Sequence, residues 1–527
     1  MKKRRIISAV LAAAMLATAL PGCSQSQSTD EAEKDFNYTG SAPITDTENA
    51  TISLLGMTSA YSNVDITKAP IVNKVIEDAG INVEFTLLDQ ANYADAISPM
   101  LASGEDLCDI VLLPDQDPNQ TYIKSGLFVP LDEYMDYMPN FKKWLDENPK
   151  VKASLTAEDG HIYYVCGTNV PYNYQPCLMI NMKWLNDAGL EVPTTLDEMV
   201  EVLRYFRDND MNGNGDPSDE IPMSVTSAMV PYMFGPAFGL DLVSGYFVND
   251  DGEVEYGAYD SENYKAYLEF LNGLYEENLL EVEYTTLTRD QIIERFANDL
   301  TGVTFDYGYQ MSMTYSPALP YYDGTKETGV CGIAPLSGPH EAFYVARNSM
   351  GNIFGVYSKS DNIILACKFL DYTINPENQE LYVWGIEGES YEVVDGQKQF
   401  TEQGKDSEWL QAFGINPSMV YPAYQSVYAT DVLVADWHSE VDKTFEQYMR
   451  DPWPFIYSSS EESDMISQYQ ADIDNVVATS AVEFITGTKD LDTEFDSYIE
   501  SLKSLNIEEL IEIKSKQYQR YQEALAE

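Results

Sequence analysis

The sequence predicts an α/β protein with at least two domains. A β-rich run from Thr51 to Leu55 is followed by apolar residues at helical spacing from Ile71 to Ile76, which stop at Gly80. Alternating apolar residues from Ile81 to Leu87 then predict a second strand. This strand-helix-strand order indicates a parallel sheet. About 480 residues follow the N-terminal region, more than a single hydrophobic core usually organises.

The first domain is expected to continue through an apolar strand from Ile110 to Leu113 and another from His161 to Val165. The segment from Gly167 to Pro171 is then predicted to cross to the second domain. There, a strand from Leu178 to Asn181 precedes a helix that runs from Lys183 to Gly189. Both domains therefore contain βα units.

The second domain is predicted to continue with a helix that begins at Thr195, which has capping-box spacing to Glu198. Helical patterns also cover Ser261 to Glu277, Asn362 to Tyr372 and most of the chain after Ser463. A strand from Val303 to Phe305 leads into an aromatic loop, and Pro335 to Pro339 is predicted to cross back to the first domain.

The N-terminus is that of an exported protein. Lys2 to Arg5 are basic, the run from Ile6 to Leu20 has no charge, and the chain turns polar after Cys23. Small residues before this cysteine resemble the bacterial lipobox, in which Cys23 is acylated and becomes the new N-terminus. The alternative is an ordinary signal peptide with an incidental cysteine. Residues 24–49 are polar and are predicted to form a flexible tether.

Charge and cysteine content restrict the function classes. The chain has 86 acidic against 31 basic residues and a formal net charge of −55. Nucleic acid, which proteins bind through clustered Lys and Arg, is therefore not expected as a partner. Five cysteines besides Cys23 show no C-x-x-C spacing and are expected to be free buried thiols, with a Cys166–Cys177 disulfide as the alternative.

A loop between Asp208 and Pro222 has the spacing of a calcium site. Ca²⁺ takes 6 to 8 oxygen ligands, and an EF-hand-like loop supplies them at alternate positions with glycine at the turn. Counting from Asp210 puts Gly215 at the turn, whereas counting from Asp208 puts Gly213 there, so two registers remain open. The predicted ligands of a structural Ca²⁺ are Asp210, Asn212, Asn214, Asp216, Asp219 and Glu220. The alternative is a solvated acidic turn.

Over essentially its whole mature length, the chain resembles the lipoprotein-type extracellular solute-binding proteins of carbohydrate ABC transporters. The resemblance rests on the segments 101–109, 159–164, 182–199 and 385–396. The calcium loop is similar to that of the alginate-binding members, where Asp-x-Asn-x-Asn-Gly precedes Asp-Glu-Ile-Pro. This chain has one residue more before Asp219, which leaves the ninth ligand open between Ser218 and Asp219.

The resemblance implies an α/β, two-lobed, periplasmic-binding-protein-like clamp with crossing hinge segments and a helical C-terminal region. Lobe 1 is expected to comprise residues 50–166 with about 340–430, and lobe 2 residues 167–339 with about 431–527. The function implied is capture of an oligosaccharide at the extracellular face of the membrane, by a lipid-anchored monomer that delivers it to permease subunits. Chemistry on the ligand is not expected.

Two other classes of function are weighed against this one. Glycosidases use a pair of carboxylates, but in a chain with 86 acidic residues the sequence cannot single out one such pair. The chain has three histidines and no G-x-S-x-G or H-E-x-x-H motif, which disfavours an enzyme. A surface adhesin or sensor component is the third possibility, with which the predicted tether is compatible.

Sugar clefts combine aromatic rings, which pack on the apolar faces of the sugar, with a few oriented polar groups. Asp115 and Gln116 follow a predicted strand at the position where open α/β sheets bind ligands. The aromatic residues in loops at strand ends or crossovers are Tyr61, Tyr172, Tyr174, Tyr307, Tyr309, Trp384 and Trp437. Trp144, Trp184 and Trp409 follow helical patterns and are expected to pack, whereas the pattern around Trp453 gives it no place.

Overall fold

The computed structural model describes residues 29–58, 64–114, 120–168, 176–249, 251–341, 343–346, 350–423 and 434–526. The strands are β1 Thr51–Thr58, β2 Asn82–Asp89, β3 Ile110–Leu112, β4 Tyr164–Thr168, β5 Pro176–Asn181, β6 Ile221–Met223, β7 Tyr246–Val248, β8 Val254–Tyr256, β9 Thr301–Tyr307, β10 Val330–Gly332, β11 Tyr344–Val345, β12 Met350–Val356, β13 Tyr391–Val394, β14 Gln397–Phe400 and β15 Met449–Arg450.

The helices are α1 Thr29–Asp35, α2 Pro70–Ala79, α3 Tyr93–Ser103, α4 Gln120–Lys124, α5 Pro139–Glu147, α6 Pro149–Leu155, α7 Met182–Ala188, α8 Leu196–Asp208, α9 Val230–Met233, α10 Asn263–Glu276, α11 Arg289–Ala297, α12 Ser316–Ala318, α13 Ile363–Thr373, α14 Pro376–Trp384, α15 Ser407–Phe413, α16 Asp436–Phe445, α17 Ser460–Ile485, α18 Leu491–Ser504 and α19 Ile507–Ala526. Within the ranges given above, no helix has both the length and the apolar character needed to span a bilayer.

The first sheet has five strands in the order β2-β1-β3-β12-β4. β1 pairs in parallel with β2 and β3, as the strand-helix-strand pattern predicts, and the intervening α2 ends at Gly80, whose φ of 78° suits glycine. β12 is antiparallel to both β3 and β4. The carboxyl ends of β1, β2, β3 and β4 therefore lie at one edge of the sheet, together with the amino end of β12.

The second sheet has four strands in the order β10-β5-β9-β6. β5 is antiparallel to β9, so that Pro176, where β5 begins, lies opposite Tyr307, where β9 ends. The predicted capping box is present at the start of α8, where the Glu198 amide donates to Thr195 Oγ1 and the Thr195 amide donates to the Glu198 carboxylate.

Each sheet has its own hydrophobic core. Buried residues such as Leu54, Val111 and Phe354 belong to the first core, and residues such as Ile180, Phe206 and Val303 belong to the second. We use lobe 1 for the described residues of 29–168 and 350–423, and lobe 2 for those of 176–346 and 434–526. The five cysteines that the structure describes are free and buried, so no Cys166–Cys177 bridge forms.

The second crossing lies further along the chain than expected. The segment from Pro335 to Pro339 packs on lobe 2, because Ser337 exchanges backbone hydrogen bonds with Thr194 and Leu196. Tyr344 also belongs to the core of lobe 2, and its strand β11 pairs with β15 rather than with the sheet of lobe 1. The chain joins lobe 1 only at β12. The predicted position near residue 335 is therefore wrong by more than ten residues.

The C-terminal helices α17, α18 and α19 pack on lobe 2, but the strap that precedes them, residues 449–459, reaches lobe 1. Tyr457 is only 3% exposed within the core of lobe 1, with its ring 6.3 Å from that of Tyr164. Arg520 of α19 donates to the Tyr457 carbonyl at 3.2 Å and to both oxygens of Glu462. The strap and α19 thus connect the two lobes along one flank.

The polar segment before β1 is not a tether over its described length. Glu33 is fully buried against Lys368 of α13, and Ile44, also fully buried, donates its amide to the Ala79 carbonyl. Residues 24–49 are low in large apolar side chains, but Asp30, Glu33 and Tyr38 have partners more than 300 positions away. The prediction of a flexible segment over 24–49 is wrong for the part from Asp30 onward.

Candidate binding cleft and metal loop

At one edge of each sheet the described chain leaves one lobe or enters the other. In lobe 1 this is the edge at which β1, β3 and β4 end, and the chain leaves β4 at Thr168 to enter lobe 2 at Pro176. Five predicted ligand residues, Tyr61, Asp115, Gln116, Tyr172 and Tyr174, lie outside the described residues. They follow these strand ends in the sequence, which is the position at which α/β sheets bind ligands.

In lobe 2 the corresponding edge carries a pair of stacked tyrosines. The rings of Tyr307 and Tyr309 are 6.2 Å apart and inclined by 19°. Both side chains are half-buried, and the Arg289 guanidinium lies 5.9 Å from the Tyr307 ring centre. Partly exposed aromatic rings at the end of a strand are side chains of the type on which sugar rings pack.

Asp306 fixes this tyrosine pair. Its carboxylate is 4% exposed and accepts two hydrogen bonds from Arg289, at 2.6 and 2.8 Å. The same group accepts from the Tyr307 amide at 2.8 Å and from the Tyr315 hydroxyl at 2.6 Å. Charge-assisted bidentate pairs are among the strongest protein hydrogen bonds, so the backbone at Tyr307 is held in one conformation. Hydrogen bonding to Asp306 raises the pKa of Arg289.

Of the two predicted tryptophans, one is exposed enough to contact a solute. Trp437 of α16 is half-buried on lobe 2, and its indole N–H donates to the Tyr322 hydroxyl at 3.3 Å. Trp384 is 3% exposed and stacks on Phe400, with ring centres 4.8 Å apart, in a small separate core beneath the β13–β14 hairpin. The prediction that Trp384 lines the cleft is therefore wrong, because this ring has no free face.

A cavity of about 530 Å³ lies between the lobes, beside the paired strands β11 and β15. Its wall includes Met350 of lobe 1, Asp241 and Arg450 of lobe 2, and Trp453 of the strap. Trp453 packs between Tyr246 and Tyr518. The sequence pattern had not predicted an environment for this residue. Burial raises the pKa of Asp241 to about 6.

Tyr232 was not among the predicted residues. It is half-buried and lines a small crevice with Pro176 and Phe305, near the Tyr307 edge of the sheet. Its sequence context, the short helix α9 that starts at Val230, carries no signal that separates it from the other tyrosines of the chain.

The predicted calcium loop has the backbone geometry of an ion-binding loop. Asp210 accepts hydrogen bonds from the amides of Gly213, Asn214 and Gly215 at 2.7 to 3.1 Å. Asn212 accepts from the Asn214 amide, and Asn214 accepts from the Asp216 amide. Each polar side chain thus turns the backbone that follows it, and Gly215 adopts a φ of 93° at the turn.

The carboxylates of Asp219 and Glu220 close this loop. Asp219 accepts from the Nδ2 groups of Asn212 and Asn214 at 3.4 and 2.7 Å, whereas Ser218 bonds to Asp216. Glu220 is 8% exposed, and its Oε1 accepts from the Met211 amide at 2.8 Å. Glu220 Oε2 is buried and has no hydrogen-bond partner among the described residues. Burial raises the pKa of Glu220.

These residues fit a cation, although no three His, Cys, Asp or Glu side chains in the described part of the chain are already arranged around one point. A cation would satisfy the orphaned Glu220 oxygen, and the carboxylates of Asp210 and Asp219 belong to the same loop. The carboxylate of Asp208 pairs with Arg207 at 2.7 and 3.0 Å.

The chain matches the family model for bacterial extracellular solute-binding proteins over residues 63–380. It is 28% identical to the fructooligosaccharide ABC transporter substrate-binding protein FusA of Streptococcus pneumoniae, over 90% of this chain and 91% of FusA. It is 24% identical to the lipoprotein LipO of Bacillus subtilis, over 86% of this chain and 89% of LipO.

Solved structures show the same fold. FusA in complex with kestose has a TM-score of 0.72 and 25% identity, covering 90% of this chain and 99% of that one. A FusA variant described as an EF-hand mutant, in complex with fructo-nystose, has a TM-score of 0.71, 24% identity and coverages of 90% and 99%. The alginate-binding protein AlgQ2 without calcium ion has a TM-score of 0.71 and 19% identity, covering 90% of this chain and 98% of AlgQ2.

Proposed function

The chain belongs to the bacterial extracellular solute-binding protein family, and from this premise we propose that it captures an oligosaccharide and delivers it unaltered to an ABC importer. The observation that carries the proposal is the Tyr307–Tyr309 pair, held at the interlobe edge of lobe 2 by Asp306. FusA, whose name assigns it a fructooligosaccharide ligand, is similar over nine tenths of both chains. The ligand class proposed here is therefore a neutral or weakly charged oligosaccharide, with fructooligosaccharides as the first probes.

The proposed mechanism is closure of two lobes on the ligand. A sugar that packs on Tyr307 and Tyr309 in lobe 2, and bonds to polar groups at the strand ends of lobe 1, binds the closed state better than the open one. Tyr61, Asp115 and Gln116 remain the proposed ligands from lobe 1, Tyr172 and Tyr174 remain proposed ligands from the crossing segment, and Trp437 remains a proposed ligand from lobe 2. Contacts on both sides supply the differential affinity that closure requires.

The site for a structural cation is proposed at the loop that begins at Asp210. Asp208 pairs with Arg207, which favours the register counted from Asp210, and the orientation of Asp219 favours it over Ser218 as the ninth ligand. When bound, the ion supplies charge neutralisation for Asp210, Asp219 and Glu220. These residues fix the connection between α8 and β6, so the role proposed is structural.

Location at the extracellular face of the membrane, through acylation of Cys23, is likewise a proposal. It is supported by the basic and apolar N-terminal pattern and by similarity to a protein named as a lipoprotein. The acidic charge of −55 disfavours contact with nucleic acid. A monomeric state and contact with permease subunits are proposed as for other solute-binding proteins.

A hydrolase is the second candidate, because Ser312, His438 and Asp442 lie in series, with a hydrogen bond between the first two and a close contact between the last two. Ser312 Oγ lies 2.6 Å from His438 Nδ1, and His438 Nε2 lies 3.3 Å from Asp442 Oδ2. The three residues are 8%, 1% and 6% exposed. A nucleophile must reach its substrate, so this burial favours a packing role for the series and binding without chemistry for the protein.

The test is titration calorimetry with kestose, after a thermal-shift screen of plant, host and microbial oligosaccharides. Tyr307→Ala should weaken binding by about 1 to 3 kcal/mol, the scale of a lost aromatic contact. Tyr391→Ala is the matched control, since this half-buried tyrosine packs on Trp384 in lobe 1. Chromatography of the recovered sugar should show no cleavage.

Two results would count against the proposal. A cognate oligosaccharide that emerges cleaved would make the protein an enzyme. If Tyr391→Ala weakens binding as much as Tyr307→Ala does, the Tyr307–Tyr309 pair is not part of the binding site. Small-angle scattering tests closure separately, because a ligand that binds without a fall in the radius of gyration contradicts the clamp alone.

A further inference from the structure

The arm before β1, defined as residues 30–49, is joined to lobe 1 by a buried ion pair. Lys368 Nζ donates to Glu33 Oε2 and to the Glu33 carbonyl, both at 2.8 Å, and neither side chain is exposed. The other Glu33 oxygen accepts from the Thr45 and Thr47 hydroxyls at 2.5 and 3.0 Å. The other hydrogen-bonding groups of this buried ion pair are also satisfied. Separating the pair is strongly unfavourable, because each charge would then be buried without a partner.

Further contacts distribute this attachment along the arm. Asp30 accepts from the amide of Ile364 at 2.9 Å, at the first turn of α13. Tyr38 donates to the carboxylate of Asp371, which is fully buried at the other end of the same helix. Asn140 of α5 donates to the Gly40 carbonyl at 2.8 Å. The arm therefore crosses the full length of α13 and is fixed at both ends.

The covalent distance from the predicted lipid to this arm is short. Seven residue steps separate Cys23 from Asp30 and span at most about 25 Å when fully extended. If residues 24–49 were all free, their fully extended length would be about 90 Å. The docked arm therefore removes most of the freedom that the composition of the segment suggests.

We propose that the arm is a rigid coupling which holds lobe 1 beside the membrane, so that lobe 1 is the stationary lobe and lobe 2 the moving one. The inference rests on the lipid anchor of the proposed function. Lobe 2 is joined to lobe 1 through the crossing segments, the strap and α19, whereas the arm is tied directly to α13 of lobe 1. The permease would then contact lobe 1 at a constant distance from the membrane surface, and lobe 2 at a position that depends on whether the lobes are closed.

The experiment measures energy transfer between the protein and a vesicle surface. The full-length acylated protein is placed on vesicles of phosphatidylcholine and phosphatidylglycerol that contain an acceptor-labelled lipid. The donor dye is attached at Lys143→Cys on the exposed face of α5. The native thiols compete little, because they are buried and burial raises the pKa of Cys166 to about 12 and that of Cys331 to about 11.

A variant with 20 Gly/Ser residues inserted between Ser28 and Thr29 leaves every arm contact intact but adds an r.m.s. reach of about 25 Å. We expect efficient transfer from the native protein and a clear loss in this variant. Glu33→Gln, which leaves Lys368 buried without its charge partner, should shift transfer in the same direction, whereas Glu133→Gln on the exposed surface should not.

Hydrogen exchange on the same vesicles tests the docked state without a mutation. The Ile44 amide, which donates to Ala79, should exchange as slowly as the amides of β1. Unchanged transfer after the insertion, or rapid exchange at Ile44, would overturn the coupling. If the native protein fails to partition onto vesicles, this contradicts the lipid anchor instead. Hydrogen exchange at Ile44 then tests only whether the arm is docked on lobe 1.

Discussion

Removal of the cation from the Asp210 loop should destabilise lobe 2. Without an ion, Asp210, Asp219 and Glu220 repel one another across a single turn, and the buried Glu220 Oε2 has no partner in the described structure. Leaving a charged buried group unsatisfied costs about 1 to 3 kcal/mol or more. The loop lies between α8 and β6, so this cost falls on the sheet of lobe 2.

The expected fall in Tm follows from the thermodynamic linkage between ion binding and folding. If the ion relieves about 3 kcal/mol, this corresponds to a free Ca²⁺ concentration of somewhat more than 100 times its Kd. For a lobe of 150 to 250 residues, 1 kcal/mol shifts the Tm by about 2 to 4 °C, so chelation should lower the Tm by roughly 6 to 12 °C.

Differential scanning calorimetry with and without chelator measures this shift. In the double variant Asp210→Ala, Asn212→Ala, the chelator should have no further effect. Asp208→Ala is the matched control, because Asp208 pairs with Arg207 outside the loop and its loss should leave the chelator response intact. A double variant that stays as sensitive to chelator as the native protein would refute this site, and an Asp208→Ala variant that loses sensitivity would refute the register.

Three further predictions follow from other parts of the molecule. Cys23→Ala should release the folded protein from the membrane fraction into the medium, and unchanged retention on fractionation would contradict the lipid anchor. Trp384→Ala should lower the free energy of unfolding by about 3 kcal/mol through a core cavity with little change in ligand affinity, whereas calorimetry on Trp437→Ala should show weaker binding and little loss of stability. Burial raises the pKa of Asp371 to about 7 from an ordinary 3.8, so the folded state retains a proton that the unfolded state loses, and stability should fall as pH rises from about 4 to 7. Thermal melts of Asp371→Asn should show a smaller fall over this range, and an identical pH profile would contradict the assignment.

Local signals in the sequence predicted the elements that local chemistry determines. The helix stop at Gly80, the Thr195–Glu198 capping box and the pairing of β1 with β2 each depend on residues within about 30 positions, and each is present. The turn chemistry of the Asp210 loop was likewise readable, because alternating Asp and Asn side chains bond to the amides that follow them.

Features that depend on distant partners were not readable. The arm around Glu33 has the composition of a tether, and only Lys368, more than 300 residues away, makes its burial favourable. The sequence placed Trp384 in a loop, but it is the last residue of α14 and the β13–β14 hairpin covers its ring. The register of the metal loop stays a prediction, and the pairing of Asp208 with the adjacent Arg207 favours the count from Asp210.

The interleaving of the two lobes along the chain restricts the order in which the protein can be built. β12 lies between β3 and β4 in the first sheet, so those two strands have no common neighbour until residue 356 has emerged from the ribosome. The core of lobe 2 in turn includes Leu510 and Ile513, close to the last residues synthesised. Neither lobe can complete its core while most of the polypeptide is still unmade. Late completion of both cores is compatible with the proposed export, in which the chain passes through a secretion channel before it folds.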